Sequence, residues 1–287
     1  MLSGAQARRS LLRAWLRFMR RAERASCLWH ALSYGNGARR SSVLGIRGVV
    51  LSLGLILGIA AVADAQPILT DAQFKGPVTH YPHGVLGDRI EYSAMVLQDS
   101  RGRSHRIDLP VGGAVFEDLA PRLWDVTGDG LPEAVVVESD PQAGAQLAIY
   151  GLRGGTLHKI AATPHIGTRF RWLAPVAAAD LDGDGHIEIA YIDRPHLAKT
   201  LRIWRYQNGA LQEVAQKAGL TNHRIGEDFI TSGLRDCGAG PELITVDADW
   251  TRIIATSLVD GRLISRDIGA FSHRDQLTTR LHCVDPA

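Results

Sequence analysis

The stretch AADLDGDGHIEIAYID, residues 178–193, places Asp180, Asp182 and Asp184 at alternate positions and follows them with Glu188. Aspartate and glycine are poor strand formers, and residues two apart in a strand project from the same face, where like charges repel. The flanking residues 175–179 and 187–192 are apolar apart from Glu188 and are typical of buried strands. The stretch therefore predicts a tight acidic loop between two strands.

This loop belongs to a pattern that recurs about every 54 residues. The sequence DVTGDGLPE, residues 125–133, matches residues 180–188, and a shorter copy, DCGAGPE, spans residues 236–242. Each copy is followed by two β-rich runs, the second of which ends in a glycine turn. These turns lie at Gly155, Gly209 and Gly261, and a similar turn at Gly102 marks an earlier unit without an acidic loop.

Repeats of about 50 residues with four strands each are typical of propeller blades, which bury their faces only against one another. We therefore predict an all-β fold, a small β-propeller of about four four-stranded blades, preceded by a signal segment. The blades would lie near residues 71–118, 119–172, 173–228 and 229–275. A β-sandwich is the alternative architecture.

The D-x-D-G-D-G-x-x-E loop between strands resembles the FG-GAP or VCBS repeats of integrin-α-type β-propellers. The resemblance covers most of residues 71–275 and implies the propeller fold. The chain departs from the family pattern because it lacks the Phe-Gly pair and carries Leu-Ala-Pro at residues 119–121 and 173–175, which only partly matches Gly-Ala-Pro. The ninth loop position is also Glu rather than Asp. Ligand recognition of the integrin type is therefore not carried over.

Oxygen ligands on alternate residues of a tight, glycine-containing loop suit a hard cation with six to eight ligands. We expect Ca²⁺ in the loop, bound by the carboxylates of Asp180, Asp182, Asp184 and Glu188 and by the main-chain carbonyl of His186. Without a cation the clustered negative charges repel one another, so the metal would help the loop to fold. The alternative is an Asx-turn hairpin with solvated acids.

The other two copies predict weaker sites. In the first copy the neutral Thr127 takes the third position, and the predicted ligands are Asp125, Thr127, Asp129, Leu131 through its carbonyl, and Glu133. The last copy keeps only Asp236 and Glu242 and is expected to hold no metal.

Polar residues cluster where the chain enters three of the predicted blades, and such segments lie near the axis of a propeller. They are Glu117, Asp118, His165, Arg169, Arg171, His223, Arg224, Glu227 and Asp228. The candidate ligand-binding residues among them are His165, Arg171, His223, Glu227 and Asp228. Salt bridges between neighbouring blades are the alternative role.

The chain shows no nucleophile elbow, phosphate loop, Cys-x-x-Cys or His-x-His motif. The sequence therefore favours a calcium-stabilised binding or scaffold module, for a protein or a glycan, over an enzyme. The alternative function is a propeller-fold hydrolase or lyase that acts on saccharides through the His, Glu and Arg residues near the axis.

Charge is divided unevenly along the 287 residues. Residues 1–65 contain ten Arg and two acidic residues, about +8, whereas the remainder carries about −6. An acidic body argues against nucleic acid as a partner.

Residues 48–63, GVVLSLGLILGIAAVA, form an uncharged run between Arg47 and the Ala-Asp-Ala sequence of residues 63–65. Upstream arginines, an apolar run and a small-residue cleavage site are the layout of a secretory signal. The run is shorter than the ~20 residues of a membrane span. We therefore expect residues 1–65 to be a basic leader with a signal peptide, and a mature protein, residues 66–287, that is periplasmic or secreted. The alternative is an uncleaved anchor. Contact with a membrane is expected only through this segment, if it stays uncleaved.

Three cysteines occur, and Cys27 lies in the leader. Cys237 and Cys283 are left as a pair in an exported chain, and two cysteines in an oxidising compartment favour a disulfide over free thiols.

Overall fold

The structure is a computed structural model and describes residues 66–283. The predicted leader and signal peptide, residues 1–65, lie outside the described residues. Within residues 66–283 no helix combines the length and the apolar character needed to cross a membrane.

The described chain consists of seventeen strands and a single short helix, in chain order. The strands are β1 (Leu69–Val78), β2 (Glu91–Asp99), β3 (Ser104–Asp108), β4 (Val115–Phe116), β5 (Arg122–Trp124), β6 (Glu133–Asp140), β7 (Gly144–Arg153), β8 (Thr156–Ala162), β9 (Leu173–Ala179), β10 (Glu188–Asp193), β11 (Thr200–Gln207), β12 (Ala210–Ala218), β13 (Leu220–Thr221), β14 (Gly233–Asp236), β15 (Pro241–Asp247), β16 (Arg252–Val259) and β17 (Arg262–Ala270). The helix α1 spans Arg274–Leu281. The prediction of an all-β fold is confirmed.

The strands form three antiparallel sheets. The first has the order β1-β2-β4-β6-β7-β8, with β3 on β2 and β5 on β6. The second has the order β12-β11-β10-β9, and the third has the order β13-β15-β16-β17, with β14 on β15. Three successive antiparallel sheets of eight, four and five strands are consistent with a β-propeller-like fold.

The first two predicted units share one sheet, which differs from the sequence-based prediction of separate blades. The short strand β4 pairs with β2 through Phe116 and Tyr92, and with β6 through Val115 and Ser139. The two residues of β4 therefore pair with a strand on each side and join the first two groups of strands into one sheet. The number and limits of the blades stay a prediction.

The glycine turns form tight hairpins, as the sequence predicts. Asn208 and Gly209 between β11 and β12 have φ of 54° and 77°, and Asp260 and Gly261 between β16 and β17 have φ of 49° and 71°. A two-residue turn with positive φ at both positions matches the right-handed twist of the strands that it joins.

Apolar clusters connect neighbouring sheets. Val135 on β6 and Ile149 on β7 are fully buried in one cluster with Ile189 on β10. Ile203 on β11 is buried in another cluster with Leu243 on β15. The core therefore lies between the sheets, and the loops that join the strands remain at their ends.

One acidic residue is buried at the start of β2. Glu91 is 3% exposed. Burial raises its pKa from 4.5 to about 9, and the negative charges of Glu117, Asp88 and Asp118 act in the same direction. The folded protein therefore holds a proton on Glu91 at neutral pH that the unfolded chain releases. Because the folded state binds more protons between these two pKa values, stability falls as the pH rises from about 4.5 to about 9.

Replacing this carboxyl by an amide, Glu91→Gln, is expected to raise the free energy of unfolding by about 1–3 kcal/mol at pH 8 and by much less at pH 5. The amide keeps the shape of the protonated acid and cannot ionise. Urea denaturation at the two pH values measures the difference. Asp249→Asn, at an exposed position, is the control and should have no comparable effect. An equal gain at both pH values would contradict the titration of Glu91.

Candidate functional site

The loop between β9 and β10 is closed by its own carboxylates. Asp180 accepts hydrogen bonds from the backbone N–H groups of Gly183, at 2.7 Å, and Gly185, at 3.0 Å. Both glycines have positive φ, 79° and 87°, which a side chain would disfavour. The N–H of Leu181 donates to Glu188 at 2.8 Å. The Asx-turn geometry is therefore present in the loop.

Three of the predicted metal ligands come together in this loop. One carboxylate oxygen from each of Asp180, Asp182 and Glu188 lies within 4.8 Å of the others. The N–H of His186 donates to Asp184 at 2.9 Å. Oxygen donors at this spacing could hold a metal ion.

A cationic side chain lies among the same carboxylates. Arg205 on β11 donates through Nε to Glu188 at 2.5 Å and through Nη2 to Asp182 at 2.7 Å. Its Nη1 lies 2.7 Å from Asp184. Arg205 was missed by the sequence analysis, because its position opposite Glu188 depends on the pairing of β10 with β11. The guanidinium neutralises part of the charge that a metal would neutralise.

The first loop, between β5 and β6, has the same backbone pattern without such an arginine. Asp125 accepts from the N–H groups of Gly128 and Gly130, each at 2.8 Å. Thr127 donates its hydroxyl to Glu133 at 3.2 Å. The N–H of Leu131 donates to Asp129 at 2.9 Å.

The position that corresponds to Arg205 in the first loop is a glycine. A Cβ built on Gly151 would lie 3.3 Å from Cγ of Glu133, so this glycine lies directly beside the carboxylate. The nearest guanidinium, that of Arg153, is 4.0 Å from Glu133. The first loop therefore lacks a close counter-ion of its own.

The last loop, between β14 and β15, lies beside two arginines, Arg235 on β14 and Arg266 on β17, and contains one cysteine of a disulfide. Asp236 again accepts from two glycine N–H groups. Glu242 accepts from Arg235 at 2.9 Å and from Arg266 at 2.7 Å. The predicted disulfide is present, since Cys237 and Cys283 are bonded with their Cα atoms 5.6 Å apart.

A cavity of about 260 Å³ opens among four other connections of the chain, those between β1 and β2, β8 and β9, β10 and β11, and β13 and β14. Its lining consists of two arginines, two histidines, two aromatic and two aliphatic residues. These are Arg171, Arg194, His83, His196, Phe170, Trp172, Leu197 and Ile225.

One wall of the cavity is held by a buried acid. His83 Nδ1 hydrogen bonds to Glu117, which also accepts from the hydroxyl of Ser139. Burial raises the pKa of Glu117, although both hydrogen bonds act in the opposite direction. Among residues 66–283 no group hydrogen bonds to Nε2 of His83. The His83 ring also stacks on Phe170, with the ring centres 5.1 Å apart.

His196, which lines the cavity, forms a hydrogen-bonded pair with His223, which lies behind it. His223 Nε2 lies 2.9 Å from the carbonyl of Glu227, so this nitrogen carries the hydrogen. The remaining nitrogen, Nδ1, then accepts from Nε2 of His196 at 3.0 Å. Burial lowers the pKa of His196 to about 4 and also lowers the pKa of His223. These rings act as fixed, uncharged parts of the wall at neutral pH.

The five predicted ligand-binding residues do not meet at one point. Arg171 lines the cavity, and His223 lies behind its wall against Trp172. Glu227 supplies a carbonyl to His223 and accepts from the backbone N–H of Arg224 through its side chain. Asp228 is exposed and does not line this cavity.

His165, the fifth of these residues, lines a second cavity of about 200 Å³. The charged groups of this cavity are paired with one another, since Asp193 binds both Arg194 and Arg202, and Arg202 binds Glu213. Paired charges of this kind leave no free charge for a ligand, so the larger cavity is the better candidate for a charged ligand.

The remaining polar residues predicted near the axis have partners nearby and in other predicted blades. Arg169 Nη2 donates to the carbonyl of His80 at 3.4 Å, and the guanidinium of Arg224 lies 4.1 Å from the ring centre of Trp250. Asp118 pairs with Arg122, four residues away, and the side chain of Arg224 lies 4.0 Å from Glu227. Arg169 lies over the ring of Phe170 at 4.4 Å. His83 and His196 are the lining residues that sequence reasoning left unassigned, because each is an isolated histidine without a motif.

A comparison with known protein families supports the assignment of the acidic loops to a repeat. The family model described as an FG-GAP-like repeat matches residues 125–191, from the first acidic loop to the strand after the second. A search among curated proteins finds no significant match. The matched segment contains both complete copies of the acidic loop. The chain therefore contains an FG-GAP-like repeat at residues 125–191.

Proposed function

We propose that this protein is an exported, calcium-stabilised β-propeller of about four blades that serves as a binding module for a glycan or a protein. The observation that carries the proposal is the acidic loop of the FG-GAP-like repeat, whose carboxylates converge at Asp180, Asp182 and Glu188. The larger cavity offers the module a place for a ligand, since such sites are concave and contain a few polar groups.

Export is supported by two features. Residues 48–65 have the layout of a secretory signal. The disulfide between Cys237 and Cys283 belongs to an oxidising compartment. We therefore place the protein in the periplasm or outside the cell.

The charge of the second loop supports the binding of calcium there. Asp180, Asp182, Asp184 and Glu188 are four carboxylates, and Arg205 supplies one positive charge. The excess of negative charge favours a divalent cation in addition to the guanidinium or in its place. The first loop has fewer acids and would bind calcium more weakly.

Calcium is expected to raise the melting temperature of the purified protein, and EDTA to lower it. A cation that binds only the folded state stabilises it by about 2.7 kcal/mol at a hundredfold excess over Kd. Asp182→Asn and Asp184→Asn should remove most of this calcium-dependent difference, and Thr127→Ala should reduce it only slightly. Differential scanning fluorimetry with and without calcium measures the shift, with Asp249→Asn as the control. An unchanged melting curve in EDTA would exclude calcium from the loops.

A second function is favoured by one specific arrangement, in which His83, oriented by Glu117, lines the same cavity as Arg171. A lyase acting on acidic saccharides needs these two groups. The arginine would neutralise the sugar carboxylate, and His83 Nε2 would accept the proton from the adjacent carbon. A carbon–carbon double bond would form as the bond to the leaving sugar oxygen breaks, and that oxygen would take up a proton.

The enzyme and the binding module are distinguished by the product. Incubation with polygalacturonate would generate an unsaturated sugar that absorbs ultraviolet light if the protein is a lyase. The absence of such a product, together with retained binding, supports the binding module.

A further inference from the structure

We propose that the larger cavity binds a uronic acid residue of an acidic glycan, with Arg171 as the group that recognises the carboxylate. This inference rests on the proposed binding function and names the chemical class of its ligand.

The ionisable side chains that line the cavity are all basic. The lining contains two arginines and two histidines and no aspartate or glutamate. Arg194 is held by Asp193 through two hydrogen bonds, at 2.7 and 2.9 Å, so its charge is already matched. The charge that remains for a ligand is that of Arg171.

Arg171 is partly buried and donates a hydrogen bond from Nη1 to the carbonyl of Phe170 at 3.1 Å. No carboxylate of residues 66–283 lies within ion-pair distance of it. Five other arginines that are not exposed each have a carboxylate partner, namely Arg122, Arg194, Arg202, Arg205 and Arg235. A partly buried cation without a counter-ion is costly, and a carboxylate ligand would remove that cost through paired hydrogen bonds.

The other side of the cavity is apolar and open. Leu197 is 63% exposed and Ile225 is 71% exposed, although both are large aliphatic residues. Exposed apolar groups at the edge of a concave site indicate a ligand that covers them. A sugar acid offers both features, because its ring has an apolar C–H face and its carboxylate lies at the edge. A volume of about 260 Å³ suits one such residue.

Two lining residues have an unusual backbone conformation. Phe170 and Arg194 have φ of 56° and 45°, in the left-handed region that non-glycine residues seldom adopt. Each is held by a neighbouring element, Phe170 N–H by the hydroxyl of Tyr81 at 2.9 Å and Arg194 N–H by the carbonyl of Trp172 at 3.0 Å. Strain of this kind is concentrated at functional sites, where it fixes the shape of the site in advance.

His83 adds a second polar contact. When Nδ1 of the neutral ring donates to Glu117, Nε2 is an acceptor, and a sugar hydroxyl can donate to it. The cavity therefore combines a cation for the carboxylate, an acceptor for a hydroxyl and an apolar surface for the ring.

The test is isothermal titration calorimetry of the purified protein with trigalacturonate, in calcium-free buffer so that calcium cannot bridge the sugar acids. We expect saturable binding of trigalacturonate and none of the neutral galactose trisaccharide. Arg171→Gln should weaken binding by about tenfold or more, and Arg171→Lys by less, because lysine keeps the charge without the paired donors. Arg262→Gln removes one charge at an exposed position and is the matched control. Leu197→Asp, a substitution at an exposed position, should also weaken binding by placing a negative charge at the edge of the cavity.

Three results would overturn the inference. The first is equal binding of the neutral trisaccharide, and the second is an equal effect of Arg171→Gln and Arg262→Gln. The third is binding of sulfate or phosphate as tight as that of trigalacturonate, which would indicate a general anion site. The melting-temperature shift with calcium, measured on the same protein, tests the proposed function separately. A retained calcium shift without uronate binding would overturn the ligand class alone.

Discussion

Replacing both Cys237 and Cys283 by serine is expected to lower the free energy of unfolding by roughly 4 kcal/mol, an upper figure that neglects strain. The disulfide joins residues 46 positions apart, so its removal frees a long loop in the unfolded chain. Urea denaturation of the double variant and of the wild type measures the loss. Reductant should lower the stability of the wild type by a similar amount and leave the double variant unchanged. A double variant as stable as the wild type would show that the cross-link is not needed.

In the double variant, unfolding should begin at helix α1. Leu277 on α1 is buried in a cluster with Ile244 and Phe271, and Arg235 donates to the carbonyl of Arg280 at 2.9 Å. These contacts are few for an eight-residue helix, and the disulfide holds its far end. In the double variant, hydrogen exchange should therefore accelerate in α1 before it accelerates in β15. Equal acceleration of the two elements would contradict a local role.

The acidic loops were predictable from sequence because their geometry is local. Asp180 must reach N–H groups three and five residues later, and Gly183 and Gly185 must adopt positive φ, so the residue types and their spacing determine the loop. The same argument holds for the hairpin at Asn208 and Gly209. The disulfide was predictable by a different argument, from the number of cysteines in an exported chain.

Features that depend on contacts between distant elements were not predictable. Arg205 reaches the second loop only because β10 pairs with β11 in one particular register. His83 and Glu117 are 34 residues apart and belong to different connections, and no spacing rule relates them. The helix α1 also escaped the sequence analysis, since it is short and its buried residues are only Leu277 and Arg280.

The sequence also could not predict that the first two units share one sheet. The repeat period predicts strands that follow one another, and the second sheet has this arrangement from β9 to β12. The period contains no information about β4, because a two-residue strand has no pattern of its own. Its pairing with both β2 and β6 follows from where the longer strands lie.

The second large effect is expected from Arg205→Gln in the absence of calcium, where the free energy of unfolding should fall by roughly 2–4 kcal/mol. The substitution leaves the carboxylates of Asp182, Asp184 and Glu188 close together without the guanidinium that lies within 2.7 Å of each. Arg202→Gln is the matched control, because Arg202 lies on the same strand and pairs with Asp193 and Glu213, outside the loop.

Calcium should restore most of the stability of Arg205→Gln and none of the stability lost in Arg202→Gln. Calcium at the second loop would need the same oxygens that Arg205 now contacts, so the two cations are alternatives, and removal of the guanidinium should raise the calcium affinity by about tenfold or more. Urea denaturation of both variants in EDTA and in millimolar calcium separates the two cases. If calcium affects the two variants equally, Arg205 does not compete with the metal. If Arg205→Gln responds to calcium more strongly than Arg202→Gln, the loop holds one cation at a time, and the wild type is partly protected against the loss of calcium by its own arginine.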